Sequence, residues 1–303
     1  MNMIATVNRQ SGGWWKFLQF PVTRFVLAVL AVGLSVAVLQ AGGKLLGVSP
    51  HSPQNAVLGL LIMAGVLASY FAYVRLIEKR EVIELGRDGA LKELGLGLLV
   101  GTALFCTTML ILWLAGAWTY TGMNSWRALV YPLVGALVAG VLEETVMRGV
   151  LFRILEESLG SWIALAVSAV IFGVLHAFNP GATAVSDIAI ALEAGILLGA
   201  AYMYARRLWL VIGVHVAWNF TEGGIFATNV SGGKIQGLLG VRFSGTDILT
   251  GGTFGPEASI VAILVCLSAG IAFIVLARRC GRLLPPLWRR ASPGTDTLPE
   301  NLT

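Results

Sequence analysis

Apolar residues run almost without interruption over 25–41, 56–73, 94–113, 129–155, 162–178, 188–205, 208–220 and 258–277, and short clusters of Arg, Lys, Glu, Gly and Pro punctuate them. Most of these runs approach the roughly 20 helical residues that cross a hydrocarbon layer about 30 Å thick. A segment in lipid must satisfy its own backbone hydrogen bonds. The pattern therefore predicts an all-α fold, a polytopic membrane bundle of about eight transmembrane helices.

Composition agrees. Of 303 residues, 56% are hydrophobic and 12% charged, about half the charged share of an ordinary soluble domain. The 37 glycines fit close helix approach, as in Gly195-x-x-x-Gly199, and not a loop-rich chain. The net charge of +5 reflects orientation. Lys44, Arg127, Lys234 and Arg242 fall on one side of the eight-span layout, and the other 17 of the 21 Lys and Arg residues fall opposite, with both termini. By the positive-inside rule both termini face the cytoplasm, the lipid bilayer is the partner, and no nucleic acid is implied. The first apolar run lacks a small-residue cleavage site and is expected to stay as helix one. Cys106, Cys266 and Cys280 offer no extracytoplasmic pair for a disulfide.

Residues 1–128 hold three spans, an interfacial cluster of Trp14, Trp15 and Lys16, and a connector, 78–93, whose alternating charges and apolar residues predict an amphipathic cytoplasmic helix. Residues 129–220 hold the four helices that carry unusual polar residues. Residues 221–284 comprise a Gly-, Ser- and Thr-rich outer loop, 221–256, and the last span. The tail 285–303, with Pro285, Pro286, Pro293 and Pro299, is expected to be disordered. No internal repeat is evident.

Ionisable groups inside spans are costly and default to functional hypotheses. They are Glu143, Glu144 and Arg148 on the fourth run, His176 on the fifth, Glu193 on the sixth and His215 on the seventh. Glu144 and Arg148, four apart, share a helix face and can pair, whereas Glu143 is turned about 100° away and is free to face another helix. Phe172 and His176, and His215 and Asn219, are likewise spaced by four. At 1.5 Å per residue, Glu143 lies roughly 18 Å and His176 roughly 21 Å from the cytoplasmic face, with His215 and Asn219 roughly 11 and 17 Å deep. One site can hold them all. Glu193 has no spaced partner and reads as a buried hydrogen-bonded group.

Elimination narrows the chemistry. The chain has no His-Glu-x-x-His and no Gly-x-Ser-x-Gly. Ser168 shares a run with His176, and Asp88, Asp247 and Asp296 lie outside the spans, which excludes an intramembrane aspartyl dyad. A carboxylate, two imidazoles and an amide remain, a set able to activate water and stabilise an oxyanion.

Three motifs resemble a known family. Glu143-Glu144-Thr145-Val146-Met147-Arg148, Phe172-Gly173-Val174-Leu175-His176 and His215-Val216-Ala217-Trp218-Asn219 occur in the order found in the CPBP intramembrane proteases. That family includes type II CAAX prenyl endopeptidases and the lysostaphin-resistance and bacteriocin-immunity (Abi) proteins. The resemblance implies hydrolysis of a peptide bond in a membrane-associated protein or peptide. Glu143 would be the base that activates water, and His176 would orient it. Glu144 and Arg148 would hold the first motif, and His215 and Asn219 would stabilise the oxyanion. A Glu143, His176, His215 set could also ligate Zn²⁺, and a metal-free mechanism fits the same residues. The Ala-, Leu- and Gly-rich composition points to a bacterial plasma membrane. Two other classes compete: a secondary transporter with a Glu and His proton relay, and a non-enzymatic immunity or partner-binding protein that keeps the motifs as structure.

Overall fold

The computed structural model describes residues 13–49 and 52–290; Arg9 and the end of the tail, with Pro293 and Pro299, lie outside them. A short α1 (Gly13–Leu18) leads into α2 (Pro21–Leu45), α3 (Pro53–Tyr73) and α4 (Ala90–Leu114). The central rods are α5 (Val130–Glu144), α6 (Arg153–His176), α7 (Ala184–Ile190), α8 (Ile196–Ala205) and α9 (Leu208–Asn219). The one-turn α10 (Asp247–Thr250) precedes α11 (Ile260–Arg279).

Among the described residues six helical rods are long and apolar enough to cross a membrane, and one of them, Trp126–His176, has 51 residues. That rod is two arms. Gly160, at φ 78° and ψ 169°, breaks it, and a Cβ there would meet the backbone of Leu284 and Pro286. Only glycine suits this left-handed, crowded position. The rod of residues 208–225 is not among the six, because His215, Asn219 and Glu222 dilute its hydropathy. The architecture is an all-α membrane bundle.

Four stretches widen into π-helix: Val74–Glu78, Thr145–Phe152, Ala191–Gly195 and Phe220–Ile225. The last three continue α5, α7 and α9, and each carries or adjoins a polar residue of the bundle interior. Such π segments concentrate at functional sites. Between α4 and α9 the approach is backbone to backbone: a Cβ at Gly97 would strike Leu210 O, and one at Gly101 would strike Val214 O. Glycine at these two places lets α9 sit deep in the bundle, where Val211, His215 and Val216 are buried.

The connector 78–93 is not an amphipathic helix. The chain leaves its π-turn at Lys79 with φ 53°, makes a short 3-10 turn at Ile83–Leu85 and turns helical again at Ala90. Electrostatics overrides the surface pattern. Glu78 and Glu84 are buried: Glu78 Oε1 accepts from Arg24 at 2.8 Å and from Arg153 at 2.7 Å, and Glu84 Oε1 lies 3.0 Å from Arg80. The cluster, completed by Glu157, ties α2, α3 and α6 together at one end of the bundle.

Residues 285–290, expected to be disordered with the rest of the tail, form an irregular segment with a short 3-10 turn at Leu287–Arg289, and Leu287 and Trp288 are exposed. Ser161 N donates to Leu284 O, and Arg290 Nη2 donates to Glu156 O. At the opposite end an element that the hydropathy pattern hides appears. Strands β1 (Trp118–Met123) and β2 (Leu239–Phe243) pair antiparallel, with a bulge between Tyr120 and Gly122. They pin the 221–256 segment over this end, near the ends of α6 and α9.

Candidate active site

The first motif sits where α5 passes into its π segment. Arg148 and Glu144 are fully buried and paired, Nη1 donating to Oε1 at 2.9 Å. Arg148 Nη2 also donates to Ala194 O at 3.1 Å and Gly195 O at 3.3 Å, and its guanidinium lies 4.8 Å from the centre of the Phe172 ring. Bonds to two backbone carbonyls and an aromatic face offset the cost of burying this cation.

Glu144 reaches a third helix. Its Oε1 lies 2.8 Å from His215 Nδ1. A carboxylate accepts, so Nδ1 carries the hydrogen and His215 Nε2 is left for the interior. Nε2 lies 3.9 Å from Glu143 Oε2. Glu143 is thus turned away from Arg148 and toward α9, with its side chain 34% exposed, so its carboxylate is open to a reactant.

His176 is fixed in the same manner. Its Nδ1 contacts Phe172 O at 2.8 Å; a carbonyl only accepts, so Nδ1 carries the hydrogen and Nε2 is free. Phe172 is the hub, 4.7 Å from the His176 ring and 6.3 Å from the His215 ring, centre to centre. His176, His215 and Asn219 line one small, partly open cavity, with Phe172 and Trp218 in its walls. Glu143 is not in that lining and stands at the far side of His215.

Zinc requires three or four donors at about 2.0–2.3 Å. Among the described residues no three His, Cys, Asp or Glu side chains are placed to share an ion. Glu143, His176 and His215 are not among any such group, although both imidazoles keep Nε2 free. As placed, these side chains do not form a three-donor metal site.

Residues that spacing did not single out complete the cavity. Glu193, on the Ala191–Gly195 π segment, lines it and accepts from Cys266 Sγ at 3.6 Å. Glu257, from the turn before α11, lines it too, and its Oε1 accepts from Ser231 N at 2.6 Å. Burial pushes the Glu257 carboxyl above the usual carboxylate range, against the opposing influence of His176. Glu222 is wholly buried behind Glu257. It follows His215 by seven residues and Asn219 by three, a helical spacing that marks it in the sequence. Nothing marks Glu257, which folds in from a loop.

Helix architecture defines an integral membrane protein with a carboxylate and imidazole centre in its interior. Residues 124–221 match the family Type II CAAX prenyl endopeptidase Rce1-like, and that stretch contains Glu143, Glu144, Arg148, His176, His215 and Asn219. The match supports an intramembrane protease of CAAX type, acting on a membrane-associated protein. No curated protein and no solved structure matches the chain.

Proposed function

We propose that this protein is an intramembrane endopeptidase that hydrolyses a peptide bond of a membrane-associated protein or peptide with water activated by Glu143. The observation that carries the reading is the 3.9 Å between Glu143 Oε2 and His215 Nε2. That separation exceeds a hydrogen bond and lets one water, at about 2.8 Å from each atom, contact both.

Glu143 takes a proton from this water as its oxygen bonds to the scissile carbonyl carbon. The carbonyl becomes an oxyanion. Asn219 donates from its amide, and His215 donates from Nε2 when its ring carries the second proton. Glu143 then passes its proton to the leaving nitrogen as the C–N bond breaks. His176, with Nδ1 held by Phe172 O, orients water or substrate through Nε2. Arg148 and Glu144 position His215 and do not touch the substrate.

The test is cleavage of a membrane-peptide library by purified protein in proteoliposomes, with and without chelator. Cleavage that persists in chelator is expected. Proton flux without cleavage would establish a transporter instead, and loss of cleavage on chelation would establish a metal mechanism.

Both termini are proposed to face the cytoplasm of a bacterial plasma membrane, because the basic residues gather at the end where Arg24, Arg80 and Arg153 meet. An impermeant maleimide added outside intact cells should label a Thr246→Cys variant lacking native cysteines. It should not label exposed Cys280 in the natural sequence. The reverse pattern would invert the topology.

A further inference from the structure

The partly buried Trp118 and Trp209 each give their indole N–H to a backbone carbonyl: Trp118 Nε1 donates to Met109 O and Trp209 Nε1 to Gly86 O, both at 2.8 Å. Trp218 does not. It is more deeply buried, 6% exposed, and no carbonyl, carboxylate or hydroxyl of the described residues accepts from its buried Nε1. A buried indole N–H ordinarily finds a partner, because an unmet donor forfeits the hydrogen bond that water supplies in the unfolded chain. Other buried polar atoms also lack partners, among them Glu144 Oε2, Thr145 Oγ1 and Asp187 Oδ1. Of the described residues with such an atom, Trp218 alone lines the active-site cavity.

Packing against α4 holds the ring in place. A Cβ at Gly101 would strike Val214 O and come within 3.0 Å of the Ala217 Cβ. One turn further along α4, the Phe105 ring meets that of Trp218 edge to face, with 5.0 Å between centres and the planes 89° apart. His215, Trp218 and Asn219 follow one another at i, i+3 and i+4, which puts them on one face of α9, and all three line the cavity. The contact of His215 Nδ1 with Glu144 leaves Nε2 free. This face of α9 therefore carries an imidazole, an indole and an amide, three groups able to donate.

We propose that Trp218 is a catalytic donor: its indole N–H donates to the carbonyl oxygen of the scissile bond as that oxygen becomes an oxyanion, beside Asn219 and His215. This rests on the proteolytic reading, and the substrate then brings the acceptor that the folded chain does not provide. A donor already fixed by ring packing needs no reorientation as charge develops, which is how preorganised groups lower a barrier. The indole also differs from His215 in kind. His215, whose Nδ1 holds one hydrogen, donates from Nε2 only when its ring is doubly protonated, whereas the indole neither gains nor loses a proton in the working pH range.

Cleavage of a membrane-embedded peptide in proteoliposomes tests this on three full-length proteins: wild type, Trp218→Phe, and a protein with 3-benzothienylalanine at position 218, in which sulfur replaces the N–H and the fused rings remain. Both changes should lower kcat about a hundredfold and leave KM within about twofold, as expected for a contact that strengthens in the transition state. The loss should be the same from acid to alkaline pH. The benzothienyl protein should keep the wild-type melting temperature, because its rings still meet Phe105. Should Trp218→Phe not fold, the benzothienyl protein carries the comparison.

Unchanged kcat in the benzothienyl protein overturns the proposal. A raised KM at unchanged kcat also overturns it, since the N–H would then hold the substrate and not the oxyanion. A lower melting temperature at unchanged kcat does the same, and would assign the N–H to the face of the Phe105 ring. A wild type that cleaves no peptide removes the protease and the oxyanion donor together, whereas an active wild type whose kcat is indifferent to the N–H removes the donor alone.

Discussion

Glu143→Gln is expected to lower cleavage of a membrane-embedded peptide by about 10²–10⁴-fold, to or below detection, with the protein still folded. The amide keeps the size of the side chain and cannot take a proton from water. The fold should be indifferent, because the Glu143 side chain is a third exposed and lies 3.9 Å from His215 Nε2. Asn219→Ala removes one oxyanion donor and leaves the base in place, so a loss of about 10²–10³-fold is expected. Purified wild type and both variants would be compared by cleavage rate and melting temperature. Full activity in Glu143→Gln would end the general-base reading, and a greater loss in Asn219→Ala would exchange the two roles.

The Glu144 and Arg148 pair should dominate stability. Both side chains are wholly buried, so Glu144→Gln or Arg148→Met alone strands a charge and should cost about 3–5 kcal/mol, while replacing both should cost less than the sum. Arg148→Lys should not rescue, because one ammonium cannot serve Glu144 Oε1, Ala194 O and Gly195 O together with the face of Phe172. A double-mutant cycle on thermal unfolding in detergent reads the coupling, and strictly additive losses would show that the contact contributes nothing. Glu144→Gln should also lower cleavage, since Glu144 Oε1 fixes the His215 ring through Nδ1.

These outcomes bear on how the chain encodes its site. Spacing by four on one helix brought Glu144 to Arg148, and the step of one residue turned Glu143 toward a neighbour. Depth counting placed Glu143, His176, His215 and Asn219 close enough for one site; the last three line one cavity, and Glu143 is not in its lining. Such relations are local or follow from a fixed rise per residue, so sequence suffices for them. The surface of the bundle was less legible. Charges at 78–93 read as a solvated helix face, yet Arg24 and Arg153, 54 and 75 residues from Glu78, draw its carboxylate inward.

By itself the sequence determined the all-α membrane class, the helical runs, and the polar residues that a bilayer does not tolerate without a reason. Each follows from the energetics of apolar length and of charge in lipid, which act on a helix before it meets another. Tertiary structure alone decided which partner each polar group found. It gave Glu144 both Arg148 and His215, and it folded the loop that carries Glu257 back against the cavity. Those choices depend on helix approach through Gly97 and Gly101, on the turn at Gly160, and on a two-stranded clasp across 120 residues of chain. They are non-local contacts whose register no hydropathy pattern records.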